Sequence, residues 1–324
     1  MDGAIIDGSS NISDTAFGSH GDMVISGKGI VKRFGRTIAL NGLNINVPRG
    51  SVYALLGRNG VGKSTLIQLL MGMLEPTEGT VSVLGLDPIR DDVAVKQLLG
   101  YIPERMPMYE WMTVDELLSF VSGVYKNWSF IDEERLSQKF HLKRDQKVGA
   151  LSRGSRALLS LVIAMAHQPE LVLLDECTSG MDAIARREFE RSVIDALSGS
   201  GRTVLFAGHQ IDEMERISDW VGIISSGRML LEMPLDQLKR TIVSVKLDTK
   251  PGLPAPFLGG KVLTTRTYGK DTYASVWLSE PLEEGQETVC KIPGILEVIP
   301  LSLEEIFVAT MTWEDNKDGH AASG

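Results

Sequence analysis

Gly57, Gly62, Lys63 and Ser64 stand at the spacing G-x-x-x-x-G-K-[ST], and these residue types at that spacing hold phosphate. In Gly57-Arg58-Asn59-Gly60-Val61-Gly62-Lys63-Ser64-Thr65, glycine lets the backbone take positive φ and approach an anion closely. Backbone N–H groups and the positive end of a following helix then aim at one point. Lys63 can reach the β- and γ-phosphates of a nucleotide, and the Ser64 hydroxyl can ligate Mg²⁺. The flanks suit this chemistry. Ser51 to Leu56 reads as a short buried strand, and Thr65 to Met71 opens an apolar-faced helix. Strand, glycine turn and helix in that order predict a nucleotide-binding protein.

Further polar clusters follow in a fixed order. The apolar run Leu171 to Leu174 ends in Asp175-Glu176. A buried strand there puts Asp175 beside the phosphate loop, where it can hold Mg²⁺ through water. Glu176 then points beyond the γ-phosphate, where a carboxylate can act as base on an attacking water. Between the two clusters lies Leu151-Ser152-Arg153-Gly154-Ser155, directly before a helical run from Arg156. Ser152 is either a plain helix N-cap or, with the Gly154 N–H and the helix dipole, part of a second phosphate-binding end. The residues alone leave both readings open.

In this order the clusters resemble the ATP-binding subunit of an ABC transporter, over about residues 23–235. Leu151 to Ser155 resembles the family's signature loop, Leu-Ser-Gly-Gly-Gln, which in that family contacts ATP held by the opposite protomer. Ser179-Gly180-Met181-Asp182 is similar to the D-loop, and His209 to the switch histidine near the γ-phosphate. Phe34 stands where the family stacks an aromatic ring on adenine. The chain departs from the family pattern at three of these positions. Glu104, in Gly100-Tyr101-Ile102-Pro103-Glu104, replaces a Gln that reaches Mg²⁺ and senses the membrane partner; a carboxylate can still ligate the metal. Ser155 replaces the last Gln of the signature, and Cys177 stands where Pro is usual.

The elements that must position these groups are legible as pattern. Strand-like runs occur at Met23–Ser26, Ile30–Phe34 and Ile38–Val47, and again at Gly79–Gly85. From about 88 to 168 the texture is helical. Short apolar strands then return at Leu171–Leu174, Thr203–Ala207 and Trp220–Ile224, with helices between them. Such alternation predicts a mostly parallel sheet covered on both faces. After Arg240 alternating runs flank a Gly269-Lys270-Asp271 hairpin signal, with a closing helix from Leu303 to Met311. The expected organisation is a polar disordered tail over 1–22 and a P-loop α/β core over 23–240. That core has an antiparallel β portion and an inserted helical subdomain. A small α+β accessory domain over 241–312 and a polar disordered tail over 313–324 complete it.

Composition bounds the partners. A formal net charge of −9, from 33 Lys and Arg against 42 Asp and Glu, speaks against nucleic acid, which needs a basic surface. Hydrophobic content of 43% and a mean hydropathy of +0.02 are those of an ordinary globular chain. No apolar stretch is long enough to span a bilayer, and residues 1–22 lack the features of a signal peptide. Cys177 and Cys290 form no metal pattern, so reduced thiols in a cytosolic setting are expected.

The resemblance implies ATP hydrolysis with Mg²⁺, two ATP molecules sandwiched between two protomers, and a separate integral membrane permease. In this picture Glu176 is the base, Lys63 and His209 stabilise γ-phosphate charge, and Ser64, Asp175 and Glu104 handle Mg²⁺. The chain would sit in the cytoplasm, on the inner face of the membrane. Ser302-Leu303-Glu304-Glu305-Ile306-Phe307 is similar to a motif near the end of family exporters, which favours export. Two rival classes remain: an ABC-type ATPase not engaged in transport, and a nucleotide-dependent regulator without turnover.

Overall fold

The computed structural model describes residues 22–197, 201–208, 210–247, 260–282 and 295–321. The chain opens with β1 (Met23–Phe34) and β2 (Thr37–Pro48), followed by β3 (Val52–Leu56), α1 (Lys63–Leu70) and β4 (Glu78–Val83). Next come α2 (Asp92–Leu98), β5 (Leu99–Ile102), α3 (Val114–Ser122), α4 (Phe130–Lys139) and α5 (Arg153–Ala166). The second half of the core holds β6 (Leu171–Asp175), α6 (Ala183–Leu197), β7 (Thr203–Gly208), α7 (Ile211–Ile217), β8 (Trp220–Ser225) and β9 (Arg228–Pro234). Then follow α8 (Leu235–Thr241), β10 (Ile242–Leu247), β11 (Lys261–Tyr268), β12 (Asp271–Trp277), β13 (Ile295–Pro300) and α9 (Leu303–Ala321).

The central sheet has six strands in the order β5-β6-β7-β3-β8-β9, parallel except for the β9 edge. Its strands are apolar on both faces because both are covered. In β3, Tyr53 and Leu55 join one core with β1, β2 and α1, while Ala54 and Leu56 join the other with α5 and α6. In β6, Leu171 and Leu173 face the first core, and Val172 and Leu174 the second. This two-residue period fixes the register, and register fixes where Asp175 ends up.

Against the first core lies an antiparallel sheet, β2-β1-β4. The two strands expected at Met23–Ser26 and Ile30–Phe34 are one strand whose pairing shifts register between Gly27 and Ile30. The four-residue strand β5 lies inside the stretch expected to be helical. It pairs with β6 through Leu99↔Leu171 to Ile102↔Leu174, so Leu99–Ile102 belongs to the central sheet and only α3 to α5 form the helical layer. A third sheet, β11-β12-β10-β13, is antiparallel with its own core of Val243, Val245, Ala274, Val276 and Ile295. Its β11–β12 hairpin turns at Gly269–Lys270, as the hairpin signal predicts, with Gly269 at φ 63°.

The closing helix is longer than expected. The chain stays helical through Trp313 to Ala321, where a disordered tail was expected. Ser302 starts α9 with a capping pair: the Glu305 N–H donates to Ser302 Oγ, and the Ser302 N–H donates to Glu305 Oε2. Leu303 and Ile306 then enter the core shared with α5 and β6, and Trp313 packs against its edge. Ser302-Leu303-Glu304-Glu305-Ile306-Phe307 is therefore a helix start with its apolar anchors. The expected tail over 1–22 lies almost wholly outside the described residues.

Candidate functional site

The phosphate loop runs from the end of β3 into α1, and its glycines are required sterically. Gly62 has φ 109°, and a Cβ there would meet the Ala39 carbonyl at 2.6 Å. A Cβ on Gly57 would meet the Ile224 carbonyl at 2.8 Å. Gly62 caps α1 without a side chain, and the first turn carries no acidic residue. The first-turn N–H groups therefore keep their affinity for an anion.

Lys63 is 4% exposed. Its ammonium donates to the Gly57 carbonyl at 2.8 Å and the Arg58 carbonyl at 3.2 Å, and faces Glu176 Oε1 at 3.4 Å. Ser64 Oγ donates to Asp175 Oδ1 at 3.2 Å, at the end of β6. A cavity of about 330 Å³ is lined by Asn59, Gly60, Lys63, Ser64, Glu104 and Glu176, with Gly62 and Thr65. The loop, the β6 carboxylates and the end of the β5 segment therefore meet at one place.

The electrostatics follow from that crowding. Burial raises the pKa of Asp175, the Ser64 hydrogen bond opposes the rise, and the nearby Glu176 and Glu104 carboxylates add to it. Tyr101, on β5, is pushed up to about 12 by burial and by Asp175. Sequence reading missed Tyr101; its position three residues before Glu104 was the available signal. Glu176 has φ 47°, a left-handed conformation that costs a non-glycine residue on the order of 1 kcal/mol or more. Hydrogen bonds hold it there, since its N–H donates to the Ala207 carbonyl and its own carbonyl accepts from the Ser179 N–H.

The remaining expected residues divide. Val61 packs against the first core, and Arg58 turns outward from the loop. Phe34 lies at the end of β1, 47% exposed, with the Lys32 ammonium 5.3 Å from its ring centre; it does not line the cavity. Ser152 caps α5 by accepting from the Ser155 N–H, and Gly154 lies against Ala185 of α6. Neither lines the cavity. Arg153, which sequence reading passed over, packs on Gly180, where a Cβ would lie 2.6 Å from its Nη1. His209 lies outside the described residues. The buried Cys177 is a small apolar member of the core.

A more enclosed cavity, of about 370 Å³, lies where β1, β2 and β9 meet Trp277. Two of its carboxylates already have partners: Glu78 pairs with Arg33, and Glu232 accepts from Tyr53 and Asn46. It is a packing junction.

A glycine-turn phosphate loop between a parallel strand and a helix, with carboxylates at the neighbouring strand end, defines a P-loop nucleotide-binding protein. The ABC transporter family model matches residues 40–179. The chain is 36% identical over 233 residues to "Probable multidrug ABC transporter ATP-binding protein YbhF" of Escherichia coli, covering 70% of this chain and 40% of that protein. It therefore spans well under half the length of that relative. It is 33% identical over 220 residues to "Bacitracin transport ATP-binding protein BcrA" of Bacillus licheniformis, covering 67% of this chain and 72% of that protein. Among solved structures, "Structure of ATP binding subunit of ABC transporter" matches with a TM-score of 0.61 at 27% identity. That match covers 67% of this chain and 92% of the other. The chain belongs to the ABC transporter family, as an ATP-binding protein with that family's ATPase fold.

Proposed function

We propose that this chain hydrolyses ATP and couples that reaction to a separate membrane permease that exports its substrate. The observation that carries the reading is the meeting of Lys63, Ser64 and Glu176 at one cavity, with Asp175 hydrogen-bonded to Ser64 behind them. Lys63 and the first-turn N–H groups of α1 hold the β- and γ-phosphates. Glu176 takes the proton of the attacking water, and its contact with Lys63 at 3.4 Å aims it. His209 is proposed to steady the γ-phosphate beside them, and Phe34 to stack on the adenine.

The donors suit Mg²⁺. Ser64 Oγ and Asp175 Oδ1 are hard oxygens already within hydrogen-bond distance, and the crowding of Asp175 by Glu176 and Glu104 is relieved by a cation. Among the described residues no cluster of three His, Cys, Asp or Glu is arranged as a metal cage. That sparse set matches an ion that arrives with the nucleotide and keeps its waters. Ser64, Asp175 and Glu104 would hold it, and it would neutralise charge developing on the phosphates.

Ser152 and Gly154 are proposed to complete the site of a second protomer, because they stand at a helix N-terminus away from their own chain's cavity. Tyr109, Trp111 and Phe120 form an exposed aromatic cluster close in sequence to Glu104, with Tyr109 and Phe120 ring centres 5.6 Å apart. This surface is proposed to receive the permease, on the inner face of the membrane; no helix of the described residues is long and apolar enough to cross one. Export is favoured because relatives are named for multidrug and bacitracin transport.

Light scattering tests the sandwich. Glu176→Gln in saturating ATP should shift from monomer to dimer, and Lys63→Ala should not. A Glu176→Gln chain that binds ATP and stays monomeric at all concentrations would contradict the composite site.

A further inference from the structure

The far end of α9 touches the phosphate loop of its own chain. Asp315 Oδ2 lies 3.2 Å from Nη1 of Arg58, the second residue of the loop. The backbone carbonyl of the same Arg58 accepts from the Lys63 ammonium, which also faces Glu176. One loop residue thus joins a carboxylate of the closing helix to the ammonium that meets the phosphates.

The helix is anchored so that this contact persists. Leu303 and Ile306 are buried in the second core, and Trp313 packs at its edge. The ammonium groups of Lys261 of β11 and Lys317 of α9 lie 5.6 Å and 5.3 Å from the Trp313 ring centre. The Arg58–Asp315 pair itself is different, because both side chains are 63% exposed. A pair that open exchanges readily with water and with competing ions.

We propose that α9 is a nucleotide-sensitive latch, in which Asp315 and the phosphates of a bound nucleotide compete for Arg58. Asn59 and Gly60, the next two residues of the loop, line the cavity, so phosphate binds immediately beyond Arg58. Its guanidinium can turn toward that charge only by leaving Asp315. Filling the cavity loosens α9, and docking of α9 weakens nucleotide binding by the same factor, because the two equilibria are linked. The latch would report occupancy of the cavity to the β10–β13 sheet through Trp313 and Lys261. It rests on the reading of the cavity as an ATP site.

The test measures ADP affinity of the full chain for wild type, Asp315→Asn and Lys63→Ala, at low and at high salt. Amide hydrogen exchange over Thr312 to Lys317 is followed with and without ADP. The latch predicts that Asp315→Asn binds ADP about two- to fivefold more tightly at low salt, the range expected for an exposed ion pair. The gain should vanish near about 1 M salt, where screening acts within roughly 3 Å. In the wild type, saturating ADP should speed exchange over Thr312 to Lys317. Equal or weaker ADP binding by Asp315→Asn at low salt, or exchange unmoved by saturating ADP, overturns the latch. If Lys63→Ala still loses ADP in that case, the cavity reading stands while the latch falls. A wild-type chain that binds no nucleotide would overturn both.

Discussion

Two buried carboxylates show how surroundings assign different work to one functional group. Asp175 has its pKa raised by burial and by the nearby Glu176 and Glu104, answered only partly by Ser64 and Lys63, so it favours a cation. Glu104 places a second carboxylate near Asp175, at a position where the sequence resemblance implies a neutral amide. Glu104→Gln should therefore weaken apparent Mg²⁺ affinity several-fold at fixed ATP, read from the Mg²⁺ dependence of turnover. An unchanged titration would remove Glu104 from the metal. Glu232 instead accepts from the Tyr53 hydroxyl at 2.7 Å and the Asn46 N–H at 2.8 Å, and burial raises its pKa from 4.5 to about 7. The folded chain thus holds this proton more tightly than the unfolded chain. Its contribution is fully present below about pH 4.5 and is lost as pH rises to about 7, a difference of about 3 kcal/mol. Glu232→Gln keeps an acceptor without the charge. It should melt at higher temperature than wild type at pH 8, with the gap closing near pH 4.5.

At the scale of elements, the turns at either end of the helices decide what the side chains can do. Gly62→Ala forces φ 109° on a residue with a Cβ and drives that atom toward the Ala39 carbonyl. A loss of more than about 1 kcal/mol of stability and a marked loss of ATP binding are expected, measured by denaturant unfolding and by titration. Ser152→Ala should cost about 1 kcal/mol through the lost α5 cap. Ser152→Arg should go further and stop hydrolysis while each monomer still binds ATP; full activity would make the loop a helix cap only. The phosphate loop, β3, β6 and their carboxylates were legible because glycine spacing and apolar runs are local signals. β5 was not, since Leu99–Ile102 is too short to show a period and is a strand only through pairing with β6. The end of α9 was read as a tail because its residues are polar. Its helix is held by Trp313 against the core and by the Arg58 contact, both distant in sequence.

The whole molecule places the phosphate-loop cavity where the start of α1 meets Glu104 and Glu176, and ties it to three surfaces. The β5 segment links it to the aromatic cluster around Tyr109, and Arg153 on Gly180 links the start of α5 to the segment after Glu176. Arg58 links it to α9. Of the residues the motifs singled out, the structure brings Asn59, Gly60, Gly62, Lys63, Ser64, Thr65, Glu104 and Glu176 to one cavity, and leaves Phe34, Ser152 and Gly154 away from it. Sequence reading did not foretell Tyr101 beside Asp175, although Tyr101 lies in the stretch that ends in Glu104, or Asp315 beside the loop, which lies in no motif; each arrives by tertiary packing. The account stands on Glu176 acting as the base at this cavity. Phosphate release from Mg·ATP by wild type and Glu176→Gln, each saturated with nucleotide, tests that claim most directly. The account predicts a fall of about 10²- to 10⁴-fold in the variant, the range expected when a general base is lost; phosphate release at the wild-type rate would contradict it.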